Sequence, residues 1–142
     1  MSVFKAPLKA YGDNREGATP DIGDVVLSQT TTLQAASVAA VNATIYLPQN
    51  AQILQILVDN TTLWTASGAV TLTAGTTSAG TQYLSAVDLK TVSGRSNYAF
   101  TNTQAANIAN ITTNTSVVFT ATTASGSNAV GTTRVTVLYR AG

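Results

Sequence analysis

Carboxylates are the first groups to consider for chemistry in this chain, because it contains no histidine and no cysteine. A base, a nucleophile or a metal ligand would have to come from an acid, a lysine or a hydroxyl. Four acids lie close together near the N-terminus: Asp13, Glu16, Asp21 and Asp24. Asp13–Gly17 has the oxygen-rich composition of a cation-binding loop, but it lacks the alternating ligand positions of an EF-hand. We expect these acids to be solvated or to form ion pairs with a partner, and we predict no metal site.

The other two acids, Asp59 and Asp88, also have ordinary structural explanations. Asp59 ends an apolar run and precedes Asn60, where a short acid commonly caps a turn. Asp88 and Lys90 are two residues apart in an alternating stretch, which predicts a surface ion pair on one face of a strand. Hydroxyl side chains are abundant, but no base is placed to activate one, and no glycine-rich phosphate loop occurs. The sequence therefore predicts a protein that is not an enzyme and uses no cofactor.

Aromatic side chains are the remaining candidates for a binding site, because aromatic rings stack on sugars when they are exposed. Packing in the core accounts for most of them. Trp64 follows the predicted turn Asn60–Thr62, so both a buried position and a position on the surface are open for it. A glycan-binding module would use Trp64 or Tyr98 as its platform.

The composition indicates one domain with a surface that is poor in charge. Of 142 residues, 44% are hydrophobic and only 9% are charged, against about a quarter charged in typical domains. A surface covered by Thr, Ser, Asn and Gln suits dense assembly or contact with neutral polymers such as glycans. The net charge is +1 and the cations are scattered, so we expect neither nucleic acid nor a membrane as a partner. No apolar run resembles a signal peptide, which predicts synthesis in a cytoplasm.

Two regions are expected, an extended N-terminal arm over residues 1–24 and a β-sandwich domain over residues 25–142. The arm contains seven of the thirteen charged side chains, and its prolines and glycines interrupt every periodic pattern. Spaced anchors and charges within it favour ordering against a partner over simple disorder. The residues expected to contact the partner are Phe4, Lys5, Leu8, Tyr11 and Arg15. A strand added to a sheet edge is one mode that such a segment can use.

From Val25 onward the pattern is that of about eight short strands separated by turn residues. This spacing predicts an all-β, single antiparallel β-sandwich or jelly-roll-like domain. In Gln52–Asp59, apolar residues occupy both alternating sets of positions, which predicts a central strand buried on both faces. Val130–Arg140 is predicted to be the last strand. Its alternation points Val135, Val137 and Tyr139 inward and points Arg134, Thr136 and Arg140 outward. Thr103–Ile111 has features of both a helix and a loop.

Several short segments carry a resemblance to a known family: Leu47–Leu54 followed by Val58 and Asp59, Ser93–Arg95, and Thr133–Tyr139. With them, the chain resembles small structural proteins of tailed bacteriophages over about residues 25–140, and most of all the capsid decoration, or cement, proteins. The resemblance implies a β-sandwich or jelly roll that sits outside the major capsid lattice, often as a trimer. The N-terminal arm would correspond to a docking segment.

These observations together predict a virion protein on the outer surface of a phage capsid that bridges subunits of the major capsid protein. We expect it to be made in the host cytoplasm and to form a homotrimer, with a dimer as the next choice. Two alternatives stay open, namely a glycan- or receptor-binding module of the tail or head, and a structural component of the tail or neck.

Overall fold

The computed structural model describes residues 25–109, 111, 113 and 115–141. The predicted arm, residues 1–24, lies outside the described residues, together with Phe4, Lys5, Leu8, Tyr11 and Arg15. The elements in chain order are β1 (Val26–Gln34), β2 (Ala40–Leu47), β3 (Gln52–Thr62), β4 (Val70–Gly75), β5 (Leu84–Asp88), β6 (Gly94–Asn97), α1 (Asn102–Ile108), β7 (Thr115–Thr123) and β8 (Thr132–Arg140). The described helix α1 is too short to cross a membrane.

The strands form two four-stranded antiparallel sheets packed face to face, which confirms the predicted all-β sandwich. The order is β1-β8-β3-β6 in the first sheet and β2-β7-β4-β5 in the second. The inner faces supply a core that includes Leu33, Ile56, Leu72 and Phe119, each almost fully buried. Burial of these apolar side chains is the main favourable contribution to folding in a chain that has no disulfide.

Strand β8 follows the alternation expected from its sequence. Val135, Val137 and Tyr139 are buried, whereas Arg134 is exposed on the outer face of the first sheet. The strand lies between β1 and β3 and pairs with each of them along its length. Its pairing register with β1 and β3 therefore sets which residues of those two strands lie beside its arginines.

Strand β3 departs from the prediction in two ways. The pairing with β8 shifts register between Ile53 and Gln55. Such a bulge changes the face on which the following residues lie. As a result Ile53 and Ile56 both point into the core while Leu54 is exposed, so the strand is buried on one face and not on both. It also continues to Thr62, so the predicted turn at Asn60–Thr62 does not form.

The ambiguous segment Thr103–Ile111 overlaps α1, which spans Asn102–Ile108. Thr101 accepts a hydrogen bond from the backbone N–H of Gln104, and the Gln104 side chain accepts one from the backbone N–H of Thr101. This reciprocal capping box satisfies backbone donors that a helix start otherwise leaves unpaired. Ile108 anchors the end of the helix in the core.

Trp64 is a core residue, so the suggestion that it forms a surface platform is wrong. The residue is 1% exposed, and its Nε1–H donates to Oγ1 of Thr133 at 2.7 Å. Gly131 lies against the indole ring, where an added Cβ would come within 2.5 Å of Cδ2. A large aromatic group therefore fills the space where the end of β3 meets the start of β8.

Candidate functional site

The charges of the described residues are concentrated on the outer face of the first sheet. Asp59 on β3 lies directly opposite Arg134 on β8 and Arg95 on β6. The neighbouring residues Val58 and Val135 point into the core, and the alternation of a strand sends this charged row to the outside. We call Arg95, Asp59 and Arg134 the arginine row.

Asp59 holds the two guanidinium groups of the arginine row in place. Nε of Arg95 donates to Oδ1 at 2.6 Å and Nη2 donates to Oδ2 at 2.8 Å, which is the bidentate geometry that Arg and a carboxylate favour. Nη2 of Arg134 donates to Oδ2 at 3.3 Å. The side chains of the two arginines are 58% and 53% exposed, whereas that of Asp59 is 10% exposed. The carboxylate is therefore covered by the two cations that it orients.

The pKa of Asp59 is lowered from its ordinary value of 3.8, first by the hydrogen bond from Arg95 and also by Arg134, against an opposing effect of burial. The carboxyl group therefore stays ionised at neutral pH. The expectation that Asp59 caps a turn is wrong, because the strand does not end there. Its partners come from strands 36 and 75 residues further along the chain.

Polar cross-strand pairs continue the same face on either side of the arginine row. Thr30 and Thr136 are hydrogen-bonded through their hydroxyls at 2.9 Å. The side chains of Gln55 and Asn97 form a further pair, and Arg140 donates to Gln52. Such pairs order the side chains of a sheet surface. The outer face of the first sheet thus combines these polar side chains and an excess of positive charge with exposed apolar residues such as Leu54.

Asp88 and Lys90 do not form the predicted surface ion pair. Asp88 instead accepts hydrogen bonds from the Thr91 side chain and from the backbone N–H groups of Lys90 and Thr91, and these bonds lower its pKa from 3.8, with the Thr91 side chain as the largest cause. Nζ of Lys90 donates to backbone carbonyls, including that of Ala66 at 2.8 Å. Asp88 therefore stabilises the turn after β5, and Lys90 ties that turn to the loop before β4.

The outer face of the second sheet has no charge over its central strands. Its outward positions are occupied largely by threonine, as at Thr44, Thr71 and Thr122. A loop after β4 covers part of it, where the backbone N–H of Ala79 donates to Oγ1 of Thr120 at 2.8 Å. The two outer faces of the sandwich therefore differ in chemistry, and only the first carries cations in a fixed arrangement.

A third surface lies at the edge where β1 and β2 are neighbours. Tyr46 is 74% exposed there beside an open cleft of about 820 Å³ that Pro48 and Tyr139 help to line. Gln29 spans the two sheets by donating to the carbonyl oxygen of Tyr46 and to the hydroxyl of Tyr139. Period-two alternation around Ile45 and Leu47 could have identified Tyr46 as outward-facing from the sequence.

Tyr98, the second residue suggested as a sugar platform, is half-buried against the core.

The arginine row was not predicted from the sequence, because its members are separated by long stretches of chain. Among the described residues, no group of three or more acids lies close enough together to hold a metal ion.

Comparisons with known proteins connect this fold with phage capsids. No protein-family model matches the chain, and no curated protein matches it. Among solved structures, the chain is similar to one in the capsid of Ralstonia phage GP4, with a TM-score of 0.60 and 19% identity over 90% of this chain and 92% of that one. It is also similar to a chain in the capsid asymmetric unit of cyanophage Pam1, with a TM-score of 0.60 and 23% identity over 97% and 95% of the two chains. The chain therefore shares the fold of chains found in phage capsids.

Proposed function

We propose that this protein is a non-enzymatic structural protein of a phage virion that decorates the outer surface of the capsid and bridges subunits of the major capsid protein. The observation that carries the proposal is the fold similarity to chains of two phage capsids, which covers at least nine-tenths of each chain compared. The similarity extends over at least nine-tenths of both chains in each comparison, so it concerns the whole sandwich and not a shared substructure.

The surface of the described residues supports the same proposal. It presents two broad sheet faces rich in hydroxyl, amide and guanidinium groups, and the carboxylates of Asp59 and Asp88 are both hydrogen-bonded within the protein. Broad polar faces suit binding to repeated sites on a lattice, where shape and hydrogen bonds provide specificity. A protein with this role needs no reactive group.

In this proposal the N-terminal arm is the docking segment, with Phe4, Leu8 and Tyr11 as apolar anchors and Lys5 and Arg15 as charged contacts. β1 begins at Val26, directly after the arm, and is an edge strand of the first sheet. An extended segment that leaves from a sheet edge can fill a groove between capsid subunits or add to one of their sheets.

Co-sedimentation with heads that lack this protein tests the docking segment. We expect the full chain to decorate the heads, and we expect Phe4→Ala combined with Tyr11→Ala to lose most of the binding, because buried aromatic anchors dominate interfaces. Deletion of residues 1–24 should have the same effect and leave the thermal unfolding of the sandwich intact. Val130→Ala, at an exposed turn residue, serves as the control. Full occupancy by the deletion variant would contradict this assignment.

Cryo-microscopy of the source virion tests the location. Density for this protein at repeated positions on the outside of the head is expected. Density only at the tail or neck would favour a tail component instead.

The alternative of a glycan-binding role is still supported by one exposed aromatic residue, Tyr46 beside the cleft. Specific binding in a glycan screen that is lost in Tyr46→Ala would support that alternative.

A further inference from the structure

We propose that the arginine row is a second docking surface, and that it binds carboxylate groups on a protein partner. This inference rests on the proposed function in taking the capsid lattice as that partner, and it adds a contact made by the sandwich itself. The charges of the described residues are unequally distributed over the two sheets. Four of the six charged residues in the described part of the chain lie on the outer face of the first sheet, and three of them are arginines.

The hydrogen-bonding capacity of the arginine row is only partly used. Each guanidinium is planar and has several N–H donors and no acceptor. Arg95 uses two of these groups and Arg134 uses one in bonds to Asp59. Among the described residues no other acceptor bonds to the side chains of these two arginines, and both are more than half exposed. The unused donors are available to a partner.

Asp59 prepares both arginines for binding. An exposed arginine loses rotamer freedom when it binds, which weakens the contact. Here Asp59 and three paired strands have already fixed the two side chains in the unbound protein. The carboxylate balances one of the two positive charges and keeps the arginines side by side in spite of their repulsion. The row thus has the preorganised donors that an interface contact requires.

Carboxylates fit this arrangement better than a nucleic acid does. A guanidinium matches a carboxylate in bidentate geometry, and Asp59 lies between the two cations, where it would repel a continuous phosphate backbone. Nucleic-acid binding draws on a larger set of cations, and the chain as a whole has a net charge of only +1. Two separate Asp or Glu side chains, one beside each arginine, avoid this repulsion.

The test uses the full chain and undecorated heads at low and high salt. We expect R95Q/R134Q to bind the heads about tenfold more weakly than the wild type at low salt, since two charged contacts are removed. The difference should shrink as salt screens the contacts. T77E/S127E, which changes the net charge equally at two exposed loop positions, should bind almost normally.

R95Q/R134Q leaves the Asp59 carboxylate without its partners, so its folding is checked by circular dichroism. D59N/R95Q/R134Q removes that orphaned charge and should show the same binding defect. Heads whose surface carboxyl groups have been converted to neutral amides should bind the wild type as weakly as intact heads bind R95Q/R134Q.

The outcomes separate this inference from the proposed function. If the wild type does not bind heads at all, the proposed function fails. If it binds and both arginine variants bind equally well, the docking role of the row is wrong. An equal loss in T77E/S127E would assign the effect to net charge alone. Binding to double-stranded DNA that is lost in R95Q/R134Q, with no effect of amidating the heads, would overturn the carboxylate partner.

Discussion

Thr133 lies at the centre of a buried chain of hydrogen bonds. It accepts from Nε1–H of Trp64 at 2.7 Å and donates to Oδ1 of Asn60 at 2.8 Å. The Asn60 amide in turn donates to the carbonyl oxygens of Leu89 and Val92. Buried polar groups are tolerated when they are paired in this way. The chain of bonds ties the end of β3 to the start of β8 and to the turn after β5.

We predict that Thr133→Val lowers the free energy of unfolding by about 1–3 kcal/mol, because it leaves a buried donor on Trp64 and a buried acceptor on Asn60 without partners. Thr136→Val is the matched control, since Thr136 lies on the outer face of the same strand. It should change stability by less than about 0.5 kcal/mol. Urea unfolding of both variants measures the difference, and equal effects would contradict the role of the buried chain.

Asp59 makes stability depend on pH in a defined direction. Its folded-state pKa lies below the ordinary value of 3.8, so the folded protein releases this proton more readily than the unfolded chain does. The resulting stabilisation is complete above the ordinary pKa and is lost as the pH falls through the lower, folded-state pKa. Asp88 has a lowered pKa as well and contributes in the same direction.

Asp59→Asn should therefore lower Tm at pH 7 and reduce the fall in Tm that the wild type shows as the pH drops below 3.8. Thermal unfolding at intervals between pH 7 and pH 2 measures both effects. Asp88→Asn should remove a separate part of the same pH dependence. If Tm falls with pH in parallel in the wild type and in Asp59→Asn, the arginine row does not contribute to the pH dependence of stability.

At the scale of the elements, β1 is attached to the core mainly through its C-terminal half. Leu33 is 1% exposed, whereas Val26 and Leu27 near the start of the strand remain substantially exposed. The strand nevertheless pairs with β8 over its whole length. Backbone hydrogen bonds therefore hold its first half, and apolar burial holds its second half.

We expect Leu33→Ala to cost about 2–5 kcal/mol, because it opens a cavity in the core. Leu27→Ala should cost less than about 1 kcal/mol, since much of that side chain is already in contact with water. Chemical denaturation of the two variants gives the comparison. Equal losses would mean that the exposed half of β1 is as firmly packed as the rest.

At the scale of the whole molecule, the two sides of the sandwich protect their edges differently. Edge strands β5 and β6 are five and four residues long, and β5 contains Ala86 with a positive φ of 58°. Edge strands β1 and β2 are nine and eight residues long and carry no charge. Long, uncharged edges favour pairing with another chain.

We therefore predict self-association through the β1 and β2 side, with a homotrimer as the expected state and a dimer as the next. Light scattering at micromolar concentration measures the mass. Ser28→Lys on β1 should reduce association, because lysine discourages edge pairing, whereas Ser85→Lys on β5 should not. A monomeric mass for the wild type would contradict this prediction.

The sequence by itself determined the class of fold and the direction in which most strand residues point. Period-two alternation is a local property, so Val135, Val137 and Tyr139 could be placed in the core from their spacing alone. The absence of histidine and cysteine limited the possible chemistry in the same direct way. The bulge in β3 was not visible, because only the pairing with β8 shows that Leu54 is displaced to the outer face.

Only the tertiary structure decided which distant residues meet. Asp59 and its two arginines lie far apart in sequence, and the register of three antiparallel strands brings them into one row. The position of Trp64 depended likewise on Thr133 and Gly131, both more than sixty residues away. Local patterns fix which face of a strand a side chain occupies, whereas the neighbours on that face depend on non-local pairing.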